Sequence, residues 1–285
     1  MKKILTLIAT LILAMSCVFG LTACGNTQKV KAIDIKLTEE DYAFVVKQGN
    51  TTLQSDFNAY LAEIKADGTF DAIVAKYFEG KGEKVGYDVT VGEVTNNASN
   101  FVVATNCPFE PFEYVGVDGK IYGVDMEIAA GYAQKKNLTL VIRNIDFDAI
   151  FNQVDNGYAD IGMAGITVSE EREALYDFTD KYYKASQKII VKADCTDFDS
   201  CVTMEDVENV IKGLAQGTKI GYQTGTTGNW YVAGDADWGY DGFANIESKG
   251  YKTAQLAVYD LINGNIYAVV VDEAPAEALV KSFNK

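Results

Sequence analysis

Residues 160–183, DIGMAGITVSEEREALYDFTDKYY, carry the strongest fold signal in the chain. The apolar run 161–164 predicts a buried strand, and Gly165 follows its carboxyl end, ahead of several hydroxyl side chains. In open α/β sheets, ligands bind at the carboxyl ends of the strands. The stretch therefore predicts an α/β fold with a binding site close to Gly165.

Arg172 lies in the same stretch and is one of two arginines in the chain, the other being Arg143. A guanidinium group binds a carboxylate through two parallel hydrogen bonds, which a lysine ammonium does not offer. One interpretation is therefore a carboxylate-binding arginine. The alternative, a surface arginine paired with Glu170, Glu171 or Glu173, stays open at this point.

Composition excludes several classes of function. The 285-residue chain has a formal net charge of −15 and no histidine, which removes His-based triads and histidine metal ligands and disfavours binding to nucleic acid. Asp235, Asp237 and Asp241 lie close together, but the loop lacks the glycine and glutamate of an EF-hand. We predict no metal, no cofactor and no nucleic-acid partner.

The first 23 residues predict export from the cytoplasm. Two lysines precede the apolar run 4–21, as in a secretory signal peptide, although the run is also nearly long enough to be an uncleaved membrane anchor. Small residues before Cys24 resemble the signal of bacterial lipoproteins, which implies a lipid on Cys24. Residues 24–30 would then be a tether that holds an extracytoplasmic protein on the cell membrane.

Apolar strand patterns alternate with helix patterns from residue 101 onward, which predicts a mostly parallel sheet flanked by helices. The series restarts after residue 190, and this predicts two lobes that face a cleft. Earlier in the chain, residues 42–46 predict one buried strand and residues 81–100 a linker with a hairpin. The other predicted strands are residues 101–104, 138–142, 161–164, 189–191, 219–222, 244–246 and 268–271.

Further candidate binding residues follow other predicted strands. Gly225-Thr226-Thr227-Gly228 precedes a predicted helix, so it is an anion site or a simple helix cap. Asp272 follows a buried strand and, with Arg172 and Thr227, would complete the contacts of a zwitterionic α-amino acid. Phe109 and Phe147 offer aromatic faces either to a ligand side chain or to the core.

Three cysteines lie beyond the predicted signal peptide and Cys24. Cys195 and Cys201 are near enough in sequence to form a disulfide outside the cell, or they are two free thiols. Cys107 would have no partner in either case.

Several motifs together carry a family resemblance. In the first half they are Ala104-Thr105-Asn106, Pro111-Phe112-Glu113-Tyr114, Gly123-Val124-Asp125, Asp146-Phe147-Asp148, residues 165–172 and residues 177–183. With residues 219–227 and 269–278, they resemble the bacterial extracellular solute-binding proteins of family 3, the polar amino-acid receptors of ABC importers. The resemblance implies a two-lobed periplasmic-binding-protein-like fold of type II, in which each lobe is a mixed sheet flanked by helices and the ligand binds in the cleft.

The order of the segments departs from the family. Residues 39–78 resemble its C-terminal part but come first here, which favours a circular permutation joined through the linker at residues 81–100. The permutation predicts that lobe 1 is residues 38–190 and that lobe 2 is residues 191–285. It also predicts that residues 31–37 form a strand that belongs to the sheet of lobe 2. We expect the hinge crossings near residues 36–41 and 189–193.

The resemblance also assigns roles in the pocket. It implies that Arg172, Thr167 and Thr227 bind the ligand carboxylate, and that Asp272 binds its ammonium group. It further implies that Gly165 offers its backbone to the ligand and that Phe109 and Phe147 enclose the ligand side chain. Asn106 stands where receptors for cationic ligands have an aspartate. Cys107 would line the pocket, and Asp125 would be a structural residue.

The resemblance implies a monomeric, membrane-tethered receptor that binds a polar or neutral L-amino acid and delivers it to an ABC transporter permease without chemistry. One alternative is a sensing module for a separate signalling partner. The other is an enzyme similar to cyclohexadienyl dehydratase on the same fold, with Glu110 or Glu273 as its acid.

Overall fold

The computed structural model describes residues 29–90 and 97–285, so the predicted signal peptide and Cys24 lie outside the described residues. The helices are α1 (Thr51–Ala66), α2 (Thr69–Phe78), α3 (Val124–Lys136), α4 (Phe147–Asp155), α5 (Glu170–Glu173), α6 (Met204–Gly213), α7 (Thr227–Ala233), α8 (Ala254–Ile262) and α9 (Glu273–Phe283), with a 3₁₀ turn at Ala236–Trp238. The strands are β1 (Val30–Ala32), β2 (Glu40–Tyr42), β3 (Val45–Lys47), β4 (Asn100–Thr105), β5 (Tyr114–Val115), β6 (Ile121–Tyr122), β7 (Thr139–Asn144), β8 (Ile161–Gly162), β9 (Tyr176–Phe178), β10 (Tyr183–Ala185), β11 (Gln187–Lys192), β12 (Thr218–Gln223), β13 (Ile246–Tyr251) and β14 (Ala268–Asp272).

Two five-stranded sheets form the cores of two lobes. The first sheet has the order β7-β4-β8-β3-β9 and the second has the order β1-β11-β14-β12-β13. In the first sheet β4 is parallel to β7 and β8, and in the second β12 is parallel to β13 and β14. Antiparallel β3 and β11 make both sheets mixed. The predicted two-lobed α/β fold class is confirmed.

The N-terminal region is part of the first lobe. Strand β3 lies inside the first sheet, between β8 and β9, and α1 buries Phe57, Tyr60, Leu61 and Ile64 along one side. The Phe57 ring centroid lies 6.1 Å from that of Phe101 on β4. These apolar contacts fix the first described helix to the sheet built by later strands.

The prediction of a single strand at residues 42–46 is wrong. The structure has two strands there, because β2 pairs with β10 in a two-stranded ribbon outside both sheets, whereas β3 pairs with β8 and β9. The linker forms no hairpin with itself in its described part; instead Tyr87 bridges to Ile121 and Val89 to Ile142. The strand expected at residues 244–246 begins only at Ile246.

The chain passes between the sheets at residues 33–44 and 179–186. The first passage overlaps the expected crossing at residues 36–41. The second lies before the expected crossing at residues 189–193, because five residue pairs with β14 hold β11 in the second sheet. The predicted boundary at residue 190 therefore falls inside β11. Strand β1, at the edge of the second sheet, is shorter than the strand predicted at residues 31–37.

The three described cysteines are free thiols, so the possible disulfide between Cys195 and Cys201 is not formed in this structure. Cys195 follows β11 in a turn, where its sulfur lies 3.5 Å from the Tyr267 hydroxyl oxygen. None of the described helices is both long enough and apolar enough to span a membrane.

Candidate functional site

A pocket lies between the lobes. Eight of the residues predicted for the pocket lie on this wall, whereas Cys107 does not. The structure adds four more wall residues, namely Glu113, Ala164, Gln223 and Thr226. The first lobe contributes eight of the twelve and the second lobe four, so the pocket is complete only when the lobes meet.

Arg172 is buried, with 4% of its surface exposed, which contradicts the surface-arginine alternative. It lies on the one-turn helix α5, which Ser169 caps by accepting a hydrogen bond from the Arg172 backbone N–H. The guanidinium Nη1 donates to the Thr167 carbonyl oxygen at 2.7 Å, and Nη2 donates to the Gly225 carbonyl oxygen at 3.0 Å. Because Gly225 belongs to the second lobe, the arginine also bridges the cleft.

Aromatic rings hold the guanidinium group of Arg172 in place. Its central carbon lies 4.9 Å from the ring centroids of Phe151 and Trp230 and 5.6 Å from that of Phe147. Such cation–π contacts are stronger when the cation is desolvated. Burial lowers the pKa of Arg172 to about 10, so the side chain still carries its charge at neutral pH.

Asp272 ends β14 and is 6% exposed on the wall of the pocket. Its Oδ1 accepts a hydrogen bond from the Tyr42 hydroxyl group. Burial, followed by the negative charge of Glu40, raises the pKa of Asp272 to about 8. A cationic group that entered the pocket would favour the ionised form of Asp272, because an opposite charge nearby lowers the pKa of a carboxyl group.

Glu40 controls the hydrogen bonding of Thr167. The Thr167 hydroxyl group donates to Glu40 Oε2 at 2.6 Å, and Gln187 Nε2 donates to Glu40 Oε1 at 3.0 Å. A hydroxyl group has one proton, so in this arrangement Thr167 faces the pocket only as an acceptor. The carboxylate contact implied for its hydroxyl would require Thr167 to release Glu40.

Thr227, the first residue of α7, is better placed to donate. Its hydroxyl oxygen is buried and has no hydrogen-bond partner among the described residues. An unpaired buried hydroxyl group costs free energy unless a ligand supplies the partner. The Thr227 hydroxyl group can therefore donate to a group that enters the pocket.

Asn106 lies on the wall, but its amide group is engaged elsewhere. Its Nδ2 donates to the Ile145 carbonyl oxygen at 2.6 Å, and its Oδ1 accepts from Gln223 Nε2 at 2.8 Å across the cleft. Its neighbour Cys107 is not on the wall, and burial raises the pKa of its thiol. Asn106 thus joins the lobes.

Asp125 supports the pocket from behind. It accepts hydrogen bonds from the Gly165 backbone N–H at 3.2 Å and from the Tyr182 hydroxyl group at 2.8 Å. Gly165 has a φ of +54°, and a β-carbon there would lie 2.4 Å from Cε1 of Phe109. The glycine therefore lets the Phe109 ring pack directly on the backbone at the pocket wall.

The acids considered for an enzymatic role lie outside the pocket wall. Glu110 is exposed. Glu273 forms ion pairs with Lys36 and Lys188, both at 3.0 Å. Residues 29–90 and 97–285 also contain no cluster of acidic or cysteine side chains suited to a metal ion.

Gly225 permits the lobes to approach each other. It has a φ of +76°, and a β-carbon there would lie 1.7 Å from Asp148 Oδ1 on the first lobe. We expect Gly225→Ala to weaken ligand binding by about tenfold, because strain and clash together oppose closure by about 1.4 kcal/mol. Gly217→Ala is the matched control, since Gly217 has a φ of +81° and no atom within 4 Å of the added carbon. Equal dissociation constants for the two variants would contradict the closure argument.

Comparisons with known proteins agree with this geometry. The chain matches the model of the bacterial extracellular solute-binding proteins, family 3, over residues 101–284. A probable histidine-binding protein of Neisseria gonorrhoeae is 27% identical over 187 residues, which are 66% of this chain and 64% of that protein. The match thus spans less than two thirds of that relative.

Two further relatives are arginine-binding proteins. The ABC transporter arginine-binding protein 1 of Escherichia coli is 26% identical over 193 residues, which are 68% of this chain and 70% of that protein. The solved structure of an ancestral arginine-binding protein bound to arginine is 32% identical, with a TM-score of 0.54, over 65% of this chain and 74% of that chain.

Proposed function

Because the chain belongs to the bacterial extracellular solute-binding proteins of family 3, we propose that it is a receptor that binds a polar or neutral L-amino acid and delivers it to the permease of an ABC importer. The receptor performs no chemistry. It acts as a monomer outside the cytoplasm, and a lipid on Cys24 tethers it to the cell membrane.

The observation that carries this proposal is that Arg172 and Asp272, which have opposite formal charges, both lie on the wall of one pocket. A zwitterionic α-amino acid presents a carboxylate and an ammonium group on adjacent atoms. Arg172 and Thr227 would donate to the carboxylate, and Asp272 would accept from the ammonium group. The Gly165 backbone and the rings of Phe109 and Phe147 would enclose the rest of the ligand.

We also propose that the chain is circularly permuted. Two observations support this: the family match begins at residue 101, and β3, from the preceding region, lies between later strands of the first sheet. In this arrangement the region before residue 101 supplies Glu40 and Tyr42, which form hydrogen bonds with the wall residues Thr167 and Asp272. Lobe 1 would be made from residues 38–186, and lobe 2 from the later residues together with β1.

A thermal-shift screen of the mature chain against the twenty amino acids and cystine tests the receptor proposal. A ligand at a hundred times its dissociation constant stabilises the folded protein by about 2.7 kcal/mol. We expect a rise in the unfolding midpoint for one amino acid or a small chemically related group. A screen without any rise would contradict the proposal and favour the sensor or enzyme alternatives.

A further inference from the structure

Trp230 contacts the guanidinium group of Arg172 from the opposite lobe. Arg172 lies on α5 of the first lobe, whereas Trp230 lies on α7, which packs against β12, β13 and β14 of the second sheet. The central carbon of the guanidinium group lies 4.9 Å from the Trp230 ring centroid. The contact crosses the cleft, so it exists only when the lobes meet.

The partners of Arg172 come from both lobes. The first lobe supplies the Thr167 carbonyl oxygen and the Phe151 ring. The second lobe supplies the Gly225 carbonyl oxygen and the Trp230 ring. Opening of the cleft would remove the second pair of contacts and leave the first pair in place. Part of what orients the guanidinium group therefore depends on closure.

Trp230 is not on the wall of the ligand pocket. Arg172 lines both that pocket and a second groove between the lobes, and Trp230 lines only the groove. Phe151 and Gly225 lie along the same groove. A ligand in the pocket would therefore meet the arginine and not the tryptophan. An effect of Trp230 on carboxylate binding would pass through Arg172.

Helix α7 carries both Trp230 and a residue of the pocket wall. Trp230 follows Thr227 by three residues, and side chains three apart lie on the same side of a helix. The Thr227 hydroxyl group is on the pocket wall and has no hydrogen-bond partner among the described residues. Closure thus brings a hydrogen-bond donor to the pocket and an aromatic face to Arg172 on one helical turn.

We infer that Trp230 is a positioning residue for carboxylate binding: it holds the Arg172 guanidinium group from the second lobe, so that Arg172 binds the ligand carboxylate at full strength only in the closed cleft. This inference rests on the proposed function, in which Arg172 binds that carboxylate. The attraction between a cation and a ring face is greatest where water is excluded, and tryptophan is the best of the aromatic side chains for it. Arg172 is 4% exposed, which meets this condition.

Calorimetric titration of Trp230→Leu tests the inference with two ligands. One is the best amino acid from the thermal-shift screen, and the other is its α-carboxamide, which keeps the ammonium group and the side chain but has no carboxylate. We expect about tenfold weaker binding of the amino acid. For the carboxamide, measured by displacement, we expect a loss below about twofold, because this ligand makes no ion pair with Arg172.

Two further variants separate the aromatic contact from a general loss of packing. Trp230→Phe keeps a ring face and should lose less amino-acid affinity than Trp230→Leu. Tyr259→Leu removes a 51% exposed aromatic residue on α8, away from both the pocket and the groove, and should bind as wild type does. Unfolding midpoints without ligand show whether each variant is folded.

Binding kinetics test the dependence on closure. The Trp230 contact forms after the ligand has entered the open cleft, so its loss should raise the dissociation rate of the amino acid and leave the association rate within about twofold. Surface plasmon resonance on the immobilised protein measures both rates. A slower association that accounted for the whole loss of affinity would contradict a contact made on closure.

The outcomes separate the inference from the proposed function. Equal losses for the amino acid and its carboxamide in Trp230→Leu would mean that Trp230 supports closure or packing in general, and would overturn the inference alone. Wild-type affinity in a folded Trp230→Leu variant would do the same. A wild-type protein that bound no amino acid would overturn the proposed function and this inference with it.

Discussion

Arg172→Lys is expected to weaken amino-acid binding by at least about 2 kcal/mol, or roughly thirtyfold. Lysine keeps the positive charge but loses the planar fork that contacts a carboxylate through two hydrogen bonds. It also loses the bonds that join the Thr167 and Gly225 carbonyl oxygens across the cleft. Calorimetric titration of the variant with the best ligand from the thermal-shift screen measures the loss.

The matched control for this prediction is Arg143→Lys. Arg143 is the other arginine of the chain, and its Nη1 donates to Gln153 Oε1 at 2.7 Å, away from the pocket wall. We expect this variant to bind as wild type does. Unfolding midpoints of both variants without ligand separate a loss of binding from a loss of folding. Wild-type affinity in a folded Arg172→Lys variant would show that the guanidinium does not bind the carboxylate.

Asp272→Asn is expected to cost at least about 2 kcal/mol for amino acids but much less for their deaminated analogues. The carboxylate is the proposed partner of the ligand's ammonium group, and a neutral amide cannot supply the charge. Affinities of the wild-type protein and the variant for an amino acid and for the matching 2-hydroxy acid measure this difference. Equal losses for both ligands would rule out the assignment of Asp272 to the ammonium group.

The same residue predicts how binding depends on pH. Because the pKa of Asp272 is raised to about 8 in the free protein, the group is protonated at lower pH, and pairing with an ammonium group expels that proton. Affinity should therefore rise with pH, by up to about tenfold per unit, and level off near pH 8. In Asp272→Asn this dependence should disappear.

Stability of the free protein should change in the opposite direction. An acid whose pKa is higher in the folded state takes up a proton on folding, so its contribution to stability is lost as the pH rises from about 4 to about 8. Unfolding midpoints measured across this range without ligand, for the wild-type protein and for Asp272→Asn, should differ in slope. The wild-type protein should show the steeper decline.

Much of the pocket could be predicted because its residues follow strand ends. Thr167 and Arg172 follow β8 of the first sheet and Asp272 ends β14 of the second, and ligands of open α/β sheets bind outside the carboxyl ends of strands. Local sequence marks such positions with a buried run followed by a polar or small residue. The structure places all of these residues on one wall.

The acids and the tyrosine beneath the pocket could not be predicted in the same way. Glu40 reaches Thr167 across 127 positions of sequence, and Tyr42 reaches Asp272 across 230. These contacts depend on the ribbon of β2 and β10, whose short polar strands carry little periodic signal. Glu113, which the sequence marked only as part of a family motif, also lies on the pocket wall.

Strand boundaries were predicted wrongly where the apolar pattern of the sequence does not follow the pairing of the strands. Strand β13 alternates mostly exposed and half-buried residues at the edge of the second sheet, so its apolar pattern is weak. The apolar run through β2 and β3 is continuous, yet the backbone changes partners within it. Periodicity reports burial along a strand but does not report which neighbour the strand pairs with.

A crystal structure of the mature chain with the best ligand from the thermal-shift screen would show the proposed contacts themselves. The proposal predicts an L-amino acid in the pocket between the lobes, with its carboxylate on the guanidinium group of Arg172 and its ammonium group on Asp272. A ligand bound elsewhere, or one oriented with its carboxylate away from Arg172, would contradict it.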